Sequence, residues 1–185
     1  MPRIKDGGEE HRVWFTPRGK RVWKATHAGR YGWTAMMDVR FNKRTQEDEP
    51  YIGMGDATPF EYLDRLELQN STFLDDIALE GFAIEQDGLA IITSQRVIKG
   101  RAPKPAEILT GMANLSFERI PGLPANSEDC FSFYRRRDQV AAFDAHIGNY
   151  VVITDGTVVP IDLVMVRADD AMHDYTCRRI DSAKS

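Results

Sequence analysis

Two short β-branched runs, Tyr150 to Thr154 and Thr157 to Ile161, are separated by Asp155-Gly156, and no other short pattern in this chain restricts its folding as tightly. Asp-Gly tolerates the positive φ angles of a tight turn, and the flanking Val, Ile, Tyr and Thr suit a pleated surface, so the pattern predicts a β-hairpin. Folding back in this way sets Asn149, at the start of the first strand, beside Asp162, at the end of the second. Asp144 is expected on the loop that enters the hairpin. Three oxygen-bearing side chains are thereby expected at one edge.

That set has the makings of a phosphoryl-transfer site. Asp144 could orient or deprotonate an acceptor hydroxyl, while Asn149 and Asp162 offer oxygen ligands for Mg²⁺ on a nucleotide's phosphates. The plainer reading is that Asp144 and Asn149 cap turns and that Asp162 merely ends a strand. Against it stands the setting of Asp162 in Val-Val-Pro-Ile-Asp-Leu-Val-Met-Val. A charge is costly to bury there unless it is paired or bound to metal.

Composition limits the alternatives. A chain of 185 residues fits one domain, or two small lobes around a cleft, and can bury a substantial core. The formal net charge of −4 argues against a general nucleic-acid binder. With neither a long apolar run nor a signal-peptide pattern, no membrane role is expected, and the expected location is the cytoplasm. Cys130 and Cys177 are too few for a disulfide framework and read as reduced thiols, and His11, His27 and His173 show no metal-ligand spacing.

Along the chain, Arg12 to Phe15 and Arg21 to Ala25 read as strands around a Pro- and Gly-containing turn, with Lys24 in the second. Gly7 and Gly8 precede them, where glycine would let backbone N–H groups approach phosphates. The polar stretch from Gly29 to Ala57 reads as a long loop or insertion. Thr58, Pro59 and Glu61 then form a helix start, with Thr58 as N-cap and Glu61 placed for a capping box, followed by an apolar stripe of Tyr62, Leu66 and Phe73. Ile77 to Glu85 and Leu89 to Thr93 read as a strand pair across Gln86-Asp87-Gly88, closed by Thr93-Ser94-Gln95. A helix is expected from about Lys104 to Leu115, a loop over Gly122 to Glu128, a strand over Cys130 to Tyr134 and a final helix over Asp169 to Arg179. Arg135-Arg136-Arg137 is either a solvated turn or a contact for phosphate or an acidic substrate.

The run from Asp144 through His146 and Gly148 to Asn149, followed by Ile161-Asp162, resembles the catalytic and metal-binding loops of the protein-kinase-like superfamily. It is closer to the aminoglycoside-phosphotransferase style than to eukaryotic kinases. Together with GGEEHRVWF, GKRVWKAT, ATPFEYLDRLELQN and LEGFAIEQDGLAIITSQ, it makes the chain from about Gly7 to Val166 resemble the kinase domain of phage and mobile-element polyvalent proteins. The resemblance implies a small α+β bilobal fold: an N-lobe over about residues 1–93, an antiparallel sheet with one helix, and a reduced C-lobe over 94–185. It implies ATP and Mg²⁺ as cofactors, with Lys24 on the α- and β-phosphates and Gly7 and Gly8 covering them. Glu61, or else Glu67, would pair with Lys24. Thr93, Ser94 and Gln95 would form the hinge beside adenine, Asp144 would act as base, and Asn149 and Asp162 would hold the metal. His146 would orient Asp144 or hold its loop. The implied acceptor is a protein hydroxyl. Two alternatives stay open: a small-molecule phosphotransferase, and a pseudokinase that binds nucleotide or protein without catalysis, which the sparse Gly-rich region and the short segment after Asp162 favour.

Overall fold

The computed structural model describes residues 4–5, 10–16, 19–123 and 130–184. Gly7, Gly8 and most of the expected loop over Gly122 to Glu128 lie outside these residues. In chain order the elements are β1 (Ile4–Lys5), β2 (His11–Phe15), β3 (Arg21–Thr26), β4 (Trp33–Asn42), β5 (Glu47–Asp56), α1 (Pro59–Phe73), β6 (Ala78–Glu85) and β7 (Gly88–Arg96). They continue with α2 (Pro105–Asn114), β8 (Glu118–Arg119), β9 (Phe131–Arg135), β10 (Val140–Ala145), β11 (Tyr150–Val152), β12 (Val158–Pro160), β13 (Val164–Arg167) and α3 (Asp170–Ser182). The architecture is α+β, with every strand pairing that is described antiparallel. No helix among the described residues is long and apolar enough to cross a membrane.

The chain divides into two compact units, Met1–Thr34 with Asp56–Lys99, and Ala35–Gly55 with Gly100–Ser185. The first therefore extends beyond residue 93, and the segment 35–55 belongs to the second. That segment is where the expected long loop gives way to structure: β4 and β5 form a two-stranded hairpin. Its polar composition hid the pairing, because only Ala35 and Ile52 are fully buried in the core of the second unit, while Val39, Phe41 and Met54 are exposed. A strand pair with one small core-facing patch shows little of the alternation by which strands are read from sequence.

In the first unit a five-stranded sheet runs in the order β1-β2-β3-β7-β6. Helix α1 starts as expected, since Thr58 Oγ1 accepts the Glu61 N–H and the Glu61 carboxylate accepts the Thr58 N–H in a capping box. Its buried face differs from the expected apolar stripe, because Tyr62, Arg65, Leu68 and Gln69 point inward. Two polar side chains are tolerated on that face because each has a carboxylate partner: Arg65 Nη1 donates to Glu10 at 2.8 Å, and Gln69 Nε2 to Asp75 at 3.0 Å.

In the second unit a four-stranded sheet has the order β13-β10-β9-β8. Tyr134 lies opposite Ala141, Ala141 opposite Val166, and Phe143 opposite Val164, so these side chains share one face. Met172, Tyr175 and Ile180 of α3 join the core that this face builds. The expected Asp155-Gly156 hairpin is present as β11 and β12, shorter than the sequence runs, with Tyr150 opposite Pro160. The arginine run is structural at two of its three positions. Arg135 is buried, forked onto Asp138 at 2.9 and 2.6 Å and stacked over Phe117, while Arg136 bridges Glu118 and Asp181.

The start of α2 carries a testable charge effect. Arg101 forks onto the Glu107 carboxylate at 2.9 and 2.5 Å, and the Lys104 N–H donates to the same group at 2.7 Å. The Arg101 contact first, then the Lys104 N–H, pulls the Glu107 pKa down from 4.5 to about 2. Because the folded-state value is depressed, the contribution to stability is present above 4.5 and is lost as pH falls from there toward about 2. The pair is exposed, so salt weakens it. An NMR titration should give a Glu107 midpoint near 2, moving toward 4.5 in Arg101→Ala; a native midpoint at 4.5 would contradict the pairing.

Candidate functional site

Asp144 lies near the end of β10 rather than on a loop. The β9–β10 register shifts between Ala142, opposite Phe133, and Ala145, opposite Phe131. This bulge places Asp144 in the left-handed region at φ 54°, a conformation that Asp adopts more readily than most side chains. The bulge also breaks the strand's burial pattern: Ala141, Ala142, Phe143 and Ala145 are buried and Asp144 alone is exposed. A carboxylate is thus presented to solvent from the end of an otherwise apolar strand.

The following residues hold it in place. A 3₁₀ turn at Ile147–Asn149 is capped by His146, whose Nδ1 accepts the Gly148 N–H at 3.0 Å. Any Cβ on residue 148 would approach the His146 ring to 2.8 Å, so the close packing of ring on backbone requires glycine. Because Nδ1 accepts, a neutral ring carries its proton on Nε2, which lies 3.8 Å from Asp144 Oδ2. Asn149 Nδ2 donates to the Asp144 main-chain oxygen at 2.8 Å and to Oδ2 at 3.0 Å. The amide nitrogen of Asn149 is therefore used inside the motif, and its Oδ1 is the end left to accept a cation or a donor.

Asp162 enters through the hairpin. The Ile161 N–H donates to the Asn149 main-chain oxygen at 2.9 Å, extending the β11–β12 pairing by one step, and Asp162 follows directly. The structure therefore brings the chain at Asp144, Asn149 and Asp162 together, and Asp162 is half-buried. Among the described residues no group of three or more His, Cys, Asp or Glu side chains could hold a metal ion. Asn149 and Asp162 each carry a side-chain oxygen, the kind of donor of which nucleotide-bound Mg²⁺ takes one or two from a protein.

Two neighbours were not expected from the sequence. Cys130 Sγ lies 3.8 Å from Asp144 Oδ1, and burial, then the Asp144 charge, push its thiol pKa up to about 11. It stays a thiol at neutral pH and is a weak donor to the carboxylate. Tyr150 is almost fully buried, its hydroxyl finds no partner among the described residues, and desolvation raises its pKa. The β9–β10 pairing was the signal that would have found Cys130, since Phe131 opposite Ala145 brings residue 130 to the same end of the strand pair.

In the first unit Lys24 stands in β3, opposite Val13 on one side and Thr93 on the other. Directly opposed residues share a sheet face and side chains alternate along a strand, so His11, Val13, Lys24, Thr26, Thr93 and Gln95 lie on one face. Helix α1 covers that face. Tyr62 Oη bonds His11 Nε2 at 2.8 Å, and Gln69 and Gln95 both donate to Asp75 Oδ2, at 3.0 and 2.6 Å. Glu61 takes the capping role of its two readings, its carboxylate bonded to the Thr58 N–H at 2.8 Å, and Glu67 is exposed.

Thr93, Ser94 and Gln95, expected as a hinge beside adenine, belong to a strand. They lie inside β7, which runs on to Arg96, and are buried. Thr93 and Ser94 are paired on both sides, with Lys24 and Trp23 of β3 and with Leu79 and Ala78 of β6. Gln95 is paired on the β3 side, with Val22. The Ser94 hydroxyl accepts from Arg21 Nε at 2.8 Å and donates to Glu80, so the side chain is committed as well.

Fold and site together define an α+β protein of two antiparallel-sheet units with an Asp–Asn–Asp grouping in the second. Comparison of the chain with family models, curated proteins and solved structures gives no match.

Proposed function

We propose that the chain is an ATP- and Mg²⁺-dependent phosphotransferase of the protein-kinase-like type, with a protein hydroxyl as acceptor. The observation that carries this reading is the Asp144–Asn149 hydrogen bond, with Asp162 following directly on Ile161, whose N–H donates to the Asn149 main-chain oxygen. An antiparallel sheet with one helix packed on the face of its lysine strand, as the first unit has, is a second support.

In this mechanism Asp144, exposed and held by Asn149 and the His146 turn, aligns the acceptor hydroxyl and takes its proton as the oxygen attacks the γ-phosphorus. The bond from that phosphorus to the β–γ bridging oxygen breaks, and ADP leaves. Asn149 Oδ1 and the Asp162 carboxylate are the groups that would hold Mg²⁺, which supplies charge neutralisation on the phosphates. Most of the rate gain in such chemistry comes from positioning and electrostatics, and the fixed geometry of the Asp144–Asn149 turn suits that demand.

Calorimetry of ATP binding with and without Mg²⁺, on the native chain and on Asp162→Asn, tests the reading, with autophosphorylation followed in the same samples. Binding that depends on Mg²⁺ and loses that dependence in Asp162→Asn is the expected result. Equal binding by both proteins would remove Asp162 from the metal site, and no binding by the native chain would sink the assignment.

A further inference from the structure

We infer that a groove wholly within the second unit docks an acidic peptide segment, an activity that does not depend on phosphoryl transfer. The groove has a volume of about 580 Å³ and lies among the β4–β5 hairpin, the turn after β8 and the last turns of α3. Pro50, Pro121 and Tyr175 give it apolar walls, and Arg40, Arg178 and Arg179 bring three guanidinium groups to its lining.

Their charge is not neutralised, and they are gathered in one concave lining. Arg101, Arg135 and Arg136 of this unit are each neutralised by a carboxylate. In the groove none of the three has a carboxylate partner among the described residues. Arg178 is exposed and makes no described hydrogen bond, and Arg40 lies over the Tyr51 ring at 5.5 Å. Arg179 is fixed by two neutral acceptors, Nε donating to the Pro121 main-chain oxygen at 3.1 Å and Nη1 to Tyr175 Oη at 3.0 Å. Its Nη2 is left facing Gly122, which stands at φ 64°, and a Cβ there would come within 2.7 Å of that nitrogen. The glycine keeps the donor edge open.

Glu49, the one carboxylate among the described residues of the lining, accepts from Asn42 Nδ2 at 2.6 Å and from Thr45 Oγ1 at 3.3 Å and keeps its charge, so three guanidinium groups stand against one carboxylate. Asp181 of α3 is held by Arg136 at 2.6 Å. What remains is a concave, partly apolar surface lined by three guanidinium groups, of which Arg179 is held in place, on a protein of net charge −4. Guanidinium forks match carboxylates in geometry, and a carboxylate partner desolvated against proline and tyrosine walls gains more than one left in water. A local positive island in an acidic protein suits a short acidic peptide, whereas a nucleic-acid strand asks for a continuous basic track.

The test is fluorescence anisotropy of the full chain with a fluorescein-labelled Gly-Glu-Glu-Pro-Glu-Glu-Gly peptide. Its all-Gln counterpart and a labelled seven-nucleotide oligothymidylate serve as competing probes. The acidic peptide should bind in a salt-sensitive manner, and Arg178→Glu should weaken it by about tenfold or more, with Arg40→Gln weakening it by a smaller factor. Arg137→Glu, on the β9–β10 turn and outside the groove lining, should leave it unchanged. Thermal melts of each variant confirm folding, and Arg40→Gln carries the test should Arg178→Glu fail to fold. Absence of binding, equal binding of the Gln peptide, equal losses in Arg137→Glu, or tighter binding of the oligothymidylate would each overturn the proposal.

Discussion

If the chain is the phosphotransferase proposed above, Asp144→Asn is expected to slow phosphoryl transfer by about 10²–10⁴-fold while leaving Mg²⁺–ATP affinity unchanged, the range expected when a general base is removed. The substitution is chosen for its small structural cost. Asparagine, like aspartate, is among the side chains that tolerate the left-handed conformation at φ 54°, and it retains an oxygen to accept from Asn149 Nδ2. What it loses is the ability to take a proton from the acceptor. The loss should therefore fall on kcat, with little change in the KM for ATP. A variant within about threefold of the native kcat would show that Asp144 only holds the Asn149 turn, since the effect of a lost base is far larger than that.

Glu10→Ala is expected to destabilise the first unit by about 1–3 kcal/mol, the usual cost of removing one hydrogen-bonding partner of a buried polar group. Arg65 is 4% exposed, and its Nη1 donates to Glu10 at 2.8 Å. Its position on the inner face of α1 lets it reach no bulk water without displacing the helix. Glu10 is itself tightly placed, for a Cβ on Gly32 would come within 2.2 Å of its carboxyl carbon. The double variant Glu10→Ala, Arg65→Met should recover much of the loss, because it removes the buried cation along with the carboxylate it donates to. Equilibrium urea unfolding of the two variants separates these outcomes. A loss under about 1 kcal/mol for Glu10→Ala would mean that the pair behaves like a solvated surface bridge.

The parts of the candidate site that were legible were the local ones. Asp155-Gly156 announced its hairpin, and with it the approach of Asp162 to Asn149, because turn chemistry acts over a few residues. The Thr58 capping box was readable for the same reason. Other features were not. The bulge that lifts Asp144 out of β10 depends on the register with β9, and a strand written Val-Ala-Ala-Phe-Asp-Ala does not say which residue the partner strand will skip. The inward-facing Arg65 and Gln69 were hidden because their acceptability rests on Glu10 and on Asp75, groups brought in by folding.

By itself the sequence determined the α+β class, the starts of its helices, three of its antiparallel strand pairs and the neighbourhood of Asp144, Asn149 and Asp162. These follow from propensities, caps and turns, whose energies are settled within a few residues of chain. Only the tertiary structure decided that residues 35–55 pair as a hairpin and join the second core, that Thr93 and Ser94 are locked between two strands, and that Arg135 is buried while Arg178 is exposed. Each of those outcomes depends on which distant surface covers a residue. Burial and charge pairing are properties of that meeting, and no local pattern encodes it.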